Sequence, residues 1–407
     1  MADKLAVWLY GDHVASIERD RRGPRLTYTE MALRRYALGT PLLALSLPVQ
    51  TRTHPQGVVR SFLDGLLPEG EPRRVIARDF GVSANDTYGL IRALGRDCAG
   101  AVVIQPEDDP PPRSPTTVTA EPLAIEEIES IVRDIRNAPL GAGGRVRISL
   151  AGVQEKLVLT RMPDGKWGRP IDGTPSTHIL KPEIAAYPMT VENEAFCMRV
   201  AKHLGLMVAG VETTVISNRK LLVVERYDRE VAPDGTVQRI HQEDFCQATG
   251  IPPETKYEED GGPSLSRIAG ILATVAAPDS LERLLAAVVL NSLLGNGDAH
   301  AKNFSLLHER TGALRLSPLY DLLSTLHYGD DHLAMYVDGV HRTSRVTSDR
   351  ILGEAAKWGM SAGVASDVIG DLLSRAGDAI AAARDESPDT PDGLVTNVRE
   401  QLNRVAT

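Results

Sequence analysis

The chain has 407 residues, 42% of them hydrophobic, which supports two or three ordinary globular cores and excludes a disordered protein. A net charge of −9 argues against a protein that grips nucleic acid along its whole surface and leaves only local basic patches, such as Arg19, Arg21, Arg22 and Arg25. Three scattered cysteines, Cys98, Cys197 and Cys246, suggest neither a disulfide framework nor a zinc cluster. They fit a reducing cytoplasm. There is no apolar signal core and no run of the roughly 18 apolar residues that a membrane span requires.

In chain order, Leu5 to Ile17 and Leu43 to Leu47 read as strands and residues 58–66 and 70–95 as helices, making residues 1–105 a small α+β subdomain. From Pro106 to Pro115 the proline-rich, acidic run continues neither a helix nor a central strand, so residues 106–120 read as an exposed linker. Acidic and apolar residues then alternate at helical spacing from Glu121 to Arg136, before a glycine cluster at Gly141, Gly143 and Gly144. The strand-like run from Arg145 to Leu159 is interrupted by Ser-Leu-Ala-Gly. A loop of small residues between two strands can lay backbone N–H groups against phosphates, although the fit to G-x-G-x-x-G is poor and the string by itself reads better as a plain β-hairpin turn.

Lys181 ends a short apolar strand, where a kinase places the lysine that holds nucleotide phosphates; most strand-end lysines are merely solvated. Residues 191–204 read as a helix with Glu192 and Glu194 in its first turn, either of which can pair with Lys181 or simply favour the helix dipole. The apolar strand Leu221 to Val224 runs into Glu225, Arg226 and Tyr227, whose backbone stands where a kinase hinge hydrogen-bonds adenine. Residues 281–294 are apolar nearly all round, as a buried helix is, with Asp279 or Ser280 to cap it and Gly295 to stop it. Two final helices are expected over residues 350–400.

The string after that buried helix is the most informative in the chain. Asp298, His300 and Asn303 form Asp-x-His-x-x-Asn, and a second acid, Asp321, follows 18 residues after the asparagine. Phosphoryl transfer needs a carboxylate to orient the attacking hydroxyl, and an Asn and another carboxylate to hold magnesium. An Asp and Asn five apart match a kinase catalytic loop. His300 stands where protein kinases usually carry Lys, and Leu-Leu follows Asp321 in place of Phe-Gly, so the loop is closer to the lipid-kinase type. The order of glycine-bearing loop, lysine strand, acidic helix, hinge strand, buried helix, Asp/Asn loop and final Asp is the order a kinase requires.

The strings Ser-Leu-Ala-Gly-Val-Gln-Glu-Lys, His-Ile-Leu-Lys-Pro, Glu-Asn-Glu, Val-Glu-Arg-Tyr-Asp-Arg, His-Gln-Glu-Asp-Phe-Cys-Gln, Lys-Tyr-Glu-x-x-Gly-Gly-Pro, Asp-Ala-His-Ala-Lys-Asn-Phe-Ser and Leu-Tyr-Asp-Leu-Leu-Ser closely resemble those of the HipA toxin kinases, over about residues 5–345. The resemblance implies a bilobal α+β kinase. Residues 1–105 would be a subdomain of the N-lobe, 121–229 its nucleotide-binding part and 230–407 a mostly helical C-lobe, with ATP between the lobes. It implies Asp298 as the group that orients the substrate hydroxyl, Lys181 as the phosphate lysine, and Asn303 and Asp321 as Mg²⁺ ligands. Ser149, Ala151, Gly152, Val153, Gln154 and Lys156 would form or flank the phosphate loop, and Glu225, Arg226 and Tyr227 the adenine hinge. His300 and Lys302 touch phosphates or brace the loop, bracing being favoured for His300. Ser149 aligns with a position that such kinases phosphorylate in themselves. The usual partner is a helix-turn-helix antitoxin (HipB-like), with a protein substrate, DNA met only through the antitoxin, and no membrane.

His241, Gln242, Glu243, Asp244, Lys256, Tyr257 and Glu258 belong to these strings without an evident role. Two rival functions compete: a catalytically silent corepressor seated on a DNA-bound antitoxin, and a hydrolase in which Asp298, His300 and Asp321 coordinate a transition metal.

Overall fold

The computed structural model describes all residues except 1–3, 113–115, 118–119, 137–148 and 172. Gly141, Gly143, Gly144 and the run 145–148 therefore lie outside the described residues. The chain divides into two compact units: Met1–Pro182 with Val215–Arg219 and Val223–Glu254, and Glu183–Thr214 with Lys220–Leu222 and Thr255–Thr407.

The first unit begins with an antiparallel sheet of β1 (Lys4–Leu9), β2 (Asp12–Asp20), β3 (Gly23–Tyr28) and β4 (Val102–Pro106), in the order β3-β2-β1-β4. Leu5, Val7 and Leu9 alternate into one buried face. Helices α1 (Glu30–Arg35), α2 (Gln56–Leu66), α3 (Gly70–Asp79) and α4 (Thr87–Leu94) complete the subdomain. On α2, Val59, Phe62, Leu63 and Leu66 recur at helical spacing and enter the same core.

Three expectations for this region need correction. The single strand Leu5 to Ile17 is a hairpin, because Tyr10 and Gly11 both adopt positive φ (55° and 89°) and reverse the chain. The helix 70–95 is two helices: Gly81 at φ 65° breaks the first, and the Asp86 side chain caps the second by accepting the Gly89 N–H at 3.0 Å. Leu43 to Leu47 is no strand. Its Leu43, Ala44 and Leu47 are buried, but its backbone is held by local turns and by side chains from far along the chain.

Beyond β4, β5 (Thr116–Thr117) and β6 (Ala120–Pro122) occupy part of the expected linker, and α5 (Ile125–Arg133) is the helix expected from residue 121, beginning later because 120–122 pair with a strand. Strands β7 (Leu157–Arg161), β8 (Trp167–Pro170) and β9 (His178–Pro182) follow. The chain then enters α6 (Thr190–His203) of the second unit and returns through β10 (Val211–Ile216) and β11 (Arg219–Glu225), giving a sheet of order β10-β11-β9-β7-β8-β6. β12 (Arg229–Val231) and β13 (Thr236–Arg239) make a small sheet with β5, and β14 (His241–Asp244) leads into α7 (Phe245–Thr249). Residues 230–254 thus group with the first unit, not with a C-lobe starting at 230, and α6 groups with the second.

The second unit is built around α9 (Ser280–Leu294), which packs against α8 (Leu265–Val275), α10 (Ser348–Lys357), α11 (Ala362–Glu386) and α12 (Asp392–Val405). Twelve of its fifteen residues are buried, as its all-round apolar sequence requires. α11 also packs along α6. The hairpins β15 (Ser305–His308) with β16 (Leu314–Leu316), and β17 (His332–Val337) with β18 (Val340–Arg342), flank the loop that follows α9. Residues 348–405 form three helices where two were expected; Gly359 at φ 80° separates the first from the second.

Candidate active site

α9 ends at Gly295, whose φ of 62° turns the chain out of the helix. The loop beyond is fixed by its own polar side chains. Asn296 Nδ2 donates to Asn291 Oδ1 at 2.8 Å, while its Oδ1 accepts the Asp298 N–H at 3.1 Å. The Gly297 N–H donates to Thr325 Oγ1 and its carbonyl accepts the Ala334 N–H, both at 2.8 Å. A Cβ at position 297 would lie 2.1 Å from the His332 carbonyl oxygen, so only glycine fits.

Asp298 leaves this frame with its carboxylate hydrogen-bonded by the Tyr257 hydroxyl at 2.7 Å. Its carbonyl accepts the His300 N–H at 2.8 Å and Asn303 Nδ2 at 3.0 Å. His300 is buried, with its ring edge-on to Tyr257 at 5.3 Å and Nε2 4.0 Å from the Asp298 carboxylate. That placement suits a brace. Lys302 is also buried, and its carbonyl accepts the Tyr320 hydroxyl at 2.7 Å. The neighbouring Asp321 adopts φ 56°, a left-handed conformation unusual for a residue other than glycine and the kind of strain found at functional sites.

The Asp298 carboxyl is pushed up to about 6, first by desolvation in its recess and further by the negative charge of Asp321, against the lowering effect of the Tyr257 hydrogen bond. The side chain still keeps 41% of its surface open to solvent, so the carboxylate is crowded without being sealed off. Asp298, Asn303 and Asp321 carry hard oxygen donors, the ligand type that magnesium prefers. The Asn303 amide suits this role, since its Nδ2 is turned to the Asp298 carbonyl and its oxygen is directed elsewhere. Among the described residues no three His, Cys, Asp or Glu side chains gather as a metal cluster, so Asp298, His300 and Asp321 do not form the transition-metal site of the rival reading.

In the first unit, the loop from Ser149 is stitched to the α2–α3 connection. Ser149 is fully buried, its hydroxyl donating to the Leu66 carbonyl at 2.6 Å and its N–H to the Asp97 carbonyl at 2.9 Å. Gly152, at φ 113°, accepts the Glu69 N–H at 3.1 Å, and Lys156 Nζ donates to the Ala151 carbonyl at 2.7 Å. Val153 is 55% exposed at the tip, and Gln154 Nε2 donates to the Pro182 carbonyl at 3.1 Å. Lys181 on β9 is buried, not a solvated strand end. In the second unit Glu192 is taken by Lys220 at 2.6 Å, which also reaches Asp389 at 2.9 Å.

Arg226 departs from a simple hinge. Its N–H donates to the Thr177 carbonyl at 2.9 Å, extending the β-ladder, and its side chain enters a fully buried ion network. The guanidinium bonds both oxygens of Asp228 at 2.9 and 2.8 Å; Arg229 and Arg239 reach Asp97 at 2.9 and 3.2 Å. Burial pushes both carboxyls up, but the surrounding guanidiniums more than offset it and hold Asp97 and Asp228 below the usual range. Burial pulls Arg229 down to about 10. Glu225 is exposed, and the Tyr227 hydroxyl hydrogen-bonds Gln242.

The string from His241 acquires a role that sequence reasoning missed. His241 Nε2 meets the Leu43 carbonyl at 2.9 Å, and both Glu243 oxygens accept the Leu45 N–H at 3.0 Å. Asp244 and Gln247 form a capping box for α7, and Gln247 Nε2 reaches the Phe62 carbonyl at 3.0 Å. The string therefore clamps the N-terminal subdomain in place. The capping-box spacing alone was a legible signal.

A two-unit α+β chain with a rigid Asp-x-His-x-x-Asn loop at the end of a buried helix has the outline of a kinase. Residues 148–380 match the family model for the HipA-like C-terminal domain and residues 5–105 that for the HipA N-terminal domain. The chain belongs to the HipA family and is of the HipA kinase type. Y4mE of Sinorhizobium fredii is 43% identical over 332 residues, covering 80% of this chain and 78% of that protein. The serine/threonine-protein kinase toxin HipA of Shewanella oneidensis is 36% identical over 297 residues, covering 69% and 66%. The solved complex of Shewanella oneidensis HipA, HipB and operator DNA superimposes with a TM-score of 0.83 at 28% identity, over 98% of this chain and 95% of that one.

Proposed function

We propose that this chain is an ATP- and magnesium-dependent serine/threonine protein kinase, the toxin of a toxin–antitoxin pair. The observation that carries the reading is the Asp298 loop, with a carboxylate held by Tyr257, the Tyr257 ring packed edge-on against His300, Asn303 locked to the Asp298 backbone, and Asp321 close enough to raise its pKa. Asp298 orients the acceptor hydroxyl and takes its proton as the hydroxyl oxygen bonds the γ-phosphorus and the bond from that phosphorus to the β–γ bridging oxygen breaks, ADP leaving. Asn303 and Asp321 hold magnesium, which when bound neutralises charge on the ATP phosphates. Lys181 and the backbone from Ala151 to Gln154 hold those phosphates, and the backbone around Glu225 and Tyr227 holds the adenine.

Ser149 is the proposed self-phosphorylation site. Its hydroxyl must first leave the Leu66 carbonyl, so modification requires the loop to lift out. A phosphoserine with about −1.5 to −2 charges cannot return to that buried seat, nor lie against the phosphates of ATP. The loop then stays out and the kinase is off. The partner is a helix-turn-helix antitoxin, in keeping with the HipB of the Shewanella complex.

The test compares wild type, Asp298→Asn and Asp321→Asn for phosphate transfer from ATP with magnesium. The expected loss for Asp298→Asn is roughly 10²–10⁴-fold, the usual range for a positioned acid–base group. Asp321→Asn should lose magnesium-dependent activity while remaining folded. Wild-type activity in either variant would refute the assignment.

A further inference from the structure

The string Lys256-Tyr257-Glu258-x-x-Gly261-Gly262-Pro263 takes no part in holding nucleotide or metal in the reading above. Its backbone is nevertheless wound tightly. The Asp260 and Gly262 N–H groups both donate to the Tyr257 carbonyl, at 3.1 and 2.8 Å, and Gly261 takes a φ of 93°. A Cβ on Gly262 would fall 2.5 Å from the Thr255 carbonyl oxygen and 2.6 Å from that of Tyr257. Glu258 pins the outer side by accepting the Tyr336 N–H at 2.8 Å. So constrained, Tyr257 delivers its hydroxyl to Asp298 Oδ1 at 2.7 Å and its ring to the edge-on contact with His300.

Asp298 needs such a constraint. Its side chain is 41% exposed, and the terminal torsion of an aspartate is broad, so an unrestrained carboxylate would sample many orientations. A base must lie within about 2.6–3.2 Å of the proton it takes. We propose that Tyr257 is a positioning residue of the kinase site: its phenol fixes the Asp298 carboxylate through Oδ1, leaving Oδ2 to meet the acceptor hydroxyl. This rests on the kinase reading. His300 sets the ring plane, and the loop from Thr255 to Pro263 exists to hold the ring.

Tyr257→Phe keeps the ring contact and removes only the hydroxyl. Transfer from ATP with magnesium should then fall about 10–100-fold in kcat, the range for losing a group that orients a reacting one, with KM for ATP and the melting temperature unchanged. In the Asp298→Asn background the same change should cost nothing further, because the two act as one unit. Crystal structures give a readout independent of turnover: Asp298 should occupy one orientation in the wild type and several in Tyr257→Phe. A fully active Tyr257→Phe, an additive loss in the double variant, or an unchanged single Asp298 orientation would overturn the proposal. An Asp298→Asn variant as active as wild type would instead overturn the kinase reading itself.

Discussion

Asp97 and Arg226 are each a few per cent exposed or less, and their charges are compensated within one buried network that Ser176 and the Cys98 carbonyl also join. Such a network is weak evidence for stability as a whole, yet removing a single member leaves an uncompensated buried charge. Asp97→Ala should therefore destabilise the first unit by about 3–5 kcal/mol, read from denaturant unfolding, whereas an exposed pair such as Arg34 with Glu30 should contribute under about 1 kcal/mol. Equal effects at the two sites would contradict the network's role. Ser149 invites the opposite kind of test, since its loop is proposed to move. Ser149→Ala loses one hydrogen bond, about 1 kcal/mol, and should still bind ATP; Ser149→Asp brings a charge into a fully buried seat and should bind ATP at least tenfold more weakly. A Ser149-phosphorylated protein that binds ATP normally would sink the proposed self-control. The sequence exposed neither the Arg226 network nor the Leu66 contact, because Asp97 lies 132 and 142 positions from Arg229 and Arg239, and Ser149 lies 83 from Leu66.

What was legible at the scale of elements follows from how local the cause is. α6 and α9 were placed within a residue of their true ends, because an apolar pattern bounded by an acidic start and a glycine stop is written locally. The hairpin at Tyr10 and Gly11 was not, because a single glycine within an apolar segment reads equally as a bulge in one strand. Leu43 to Leu47 looked like a strand because its burial depends on His241 and Glu243, about 200 residues away. That clamp has a pH signature. Burial pushes the Glu243 carboxyl well above the usual range, so the folded state binds its proton more readily than the unfolded state does. The contribution of this group to stability is then present at low pH and is lost as pH rises from about 4.5 through the folded value. Glu243→Gln should flatten that dependence, gaining on wild type in melting temperature as pH increases; a variant that loses ground to wild type between pH 5 and pH 8 would contradict the assignment. The catalytic-loop element permits a sharper test. Gly297→Ala must displace the His332 carbonyl or the loop itself, and a shift of about 1 Å at Asp298 should cost on the order of 10²-fold in activity. Activity within a factor of two of wild type would show that the loop tolerates what its geometry forbids.

For the molecule as a whole, net charge decides how it can meet DNA. A chain at −9 carries a repulsive field toward phosphates, and its one clustered basic run is largely spent internally. Arg19 pairs with Asp86 at 2.9 Å and lies over the Tyr88 ring, and Arg25 pairs with Asp20 at 3.1 Å, so Arg21 and Arg22 are what remains of the patch. Two exposed cations neutralise too few phosphates for tight association. Sequence readout needs side chains in a groove, which a basic helix-turn-helix partner supplies in addition to phosphate contacts. In gel-shift titrations at physiological salt, the purified chain alone should therefore bind operator DNA no more tightly than roughly 10⁻⁴–10⁻⁶ M, without sequence preference. Together with a helix-turn-helix antitoxin it should enter a complex in the specific range of about 10⁻⁸–10⁻¹¹ M. Replacing Arg21 and Arg22 by Gln should lower the salt dependence of that complex only slightly, because the partner carries most of the phosphate contacts. Tight, sequence-specific binding by the chain alone would overturn this division of labour and make the toxin itself a DNA-reading protein.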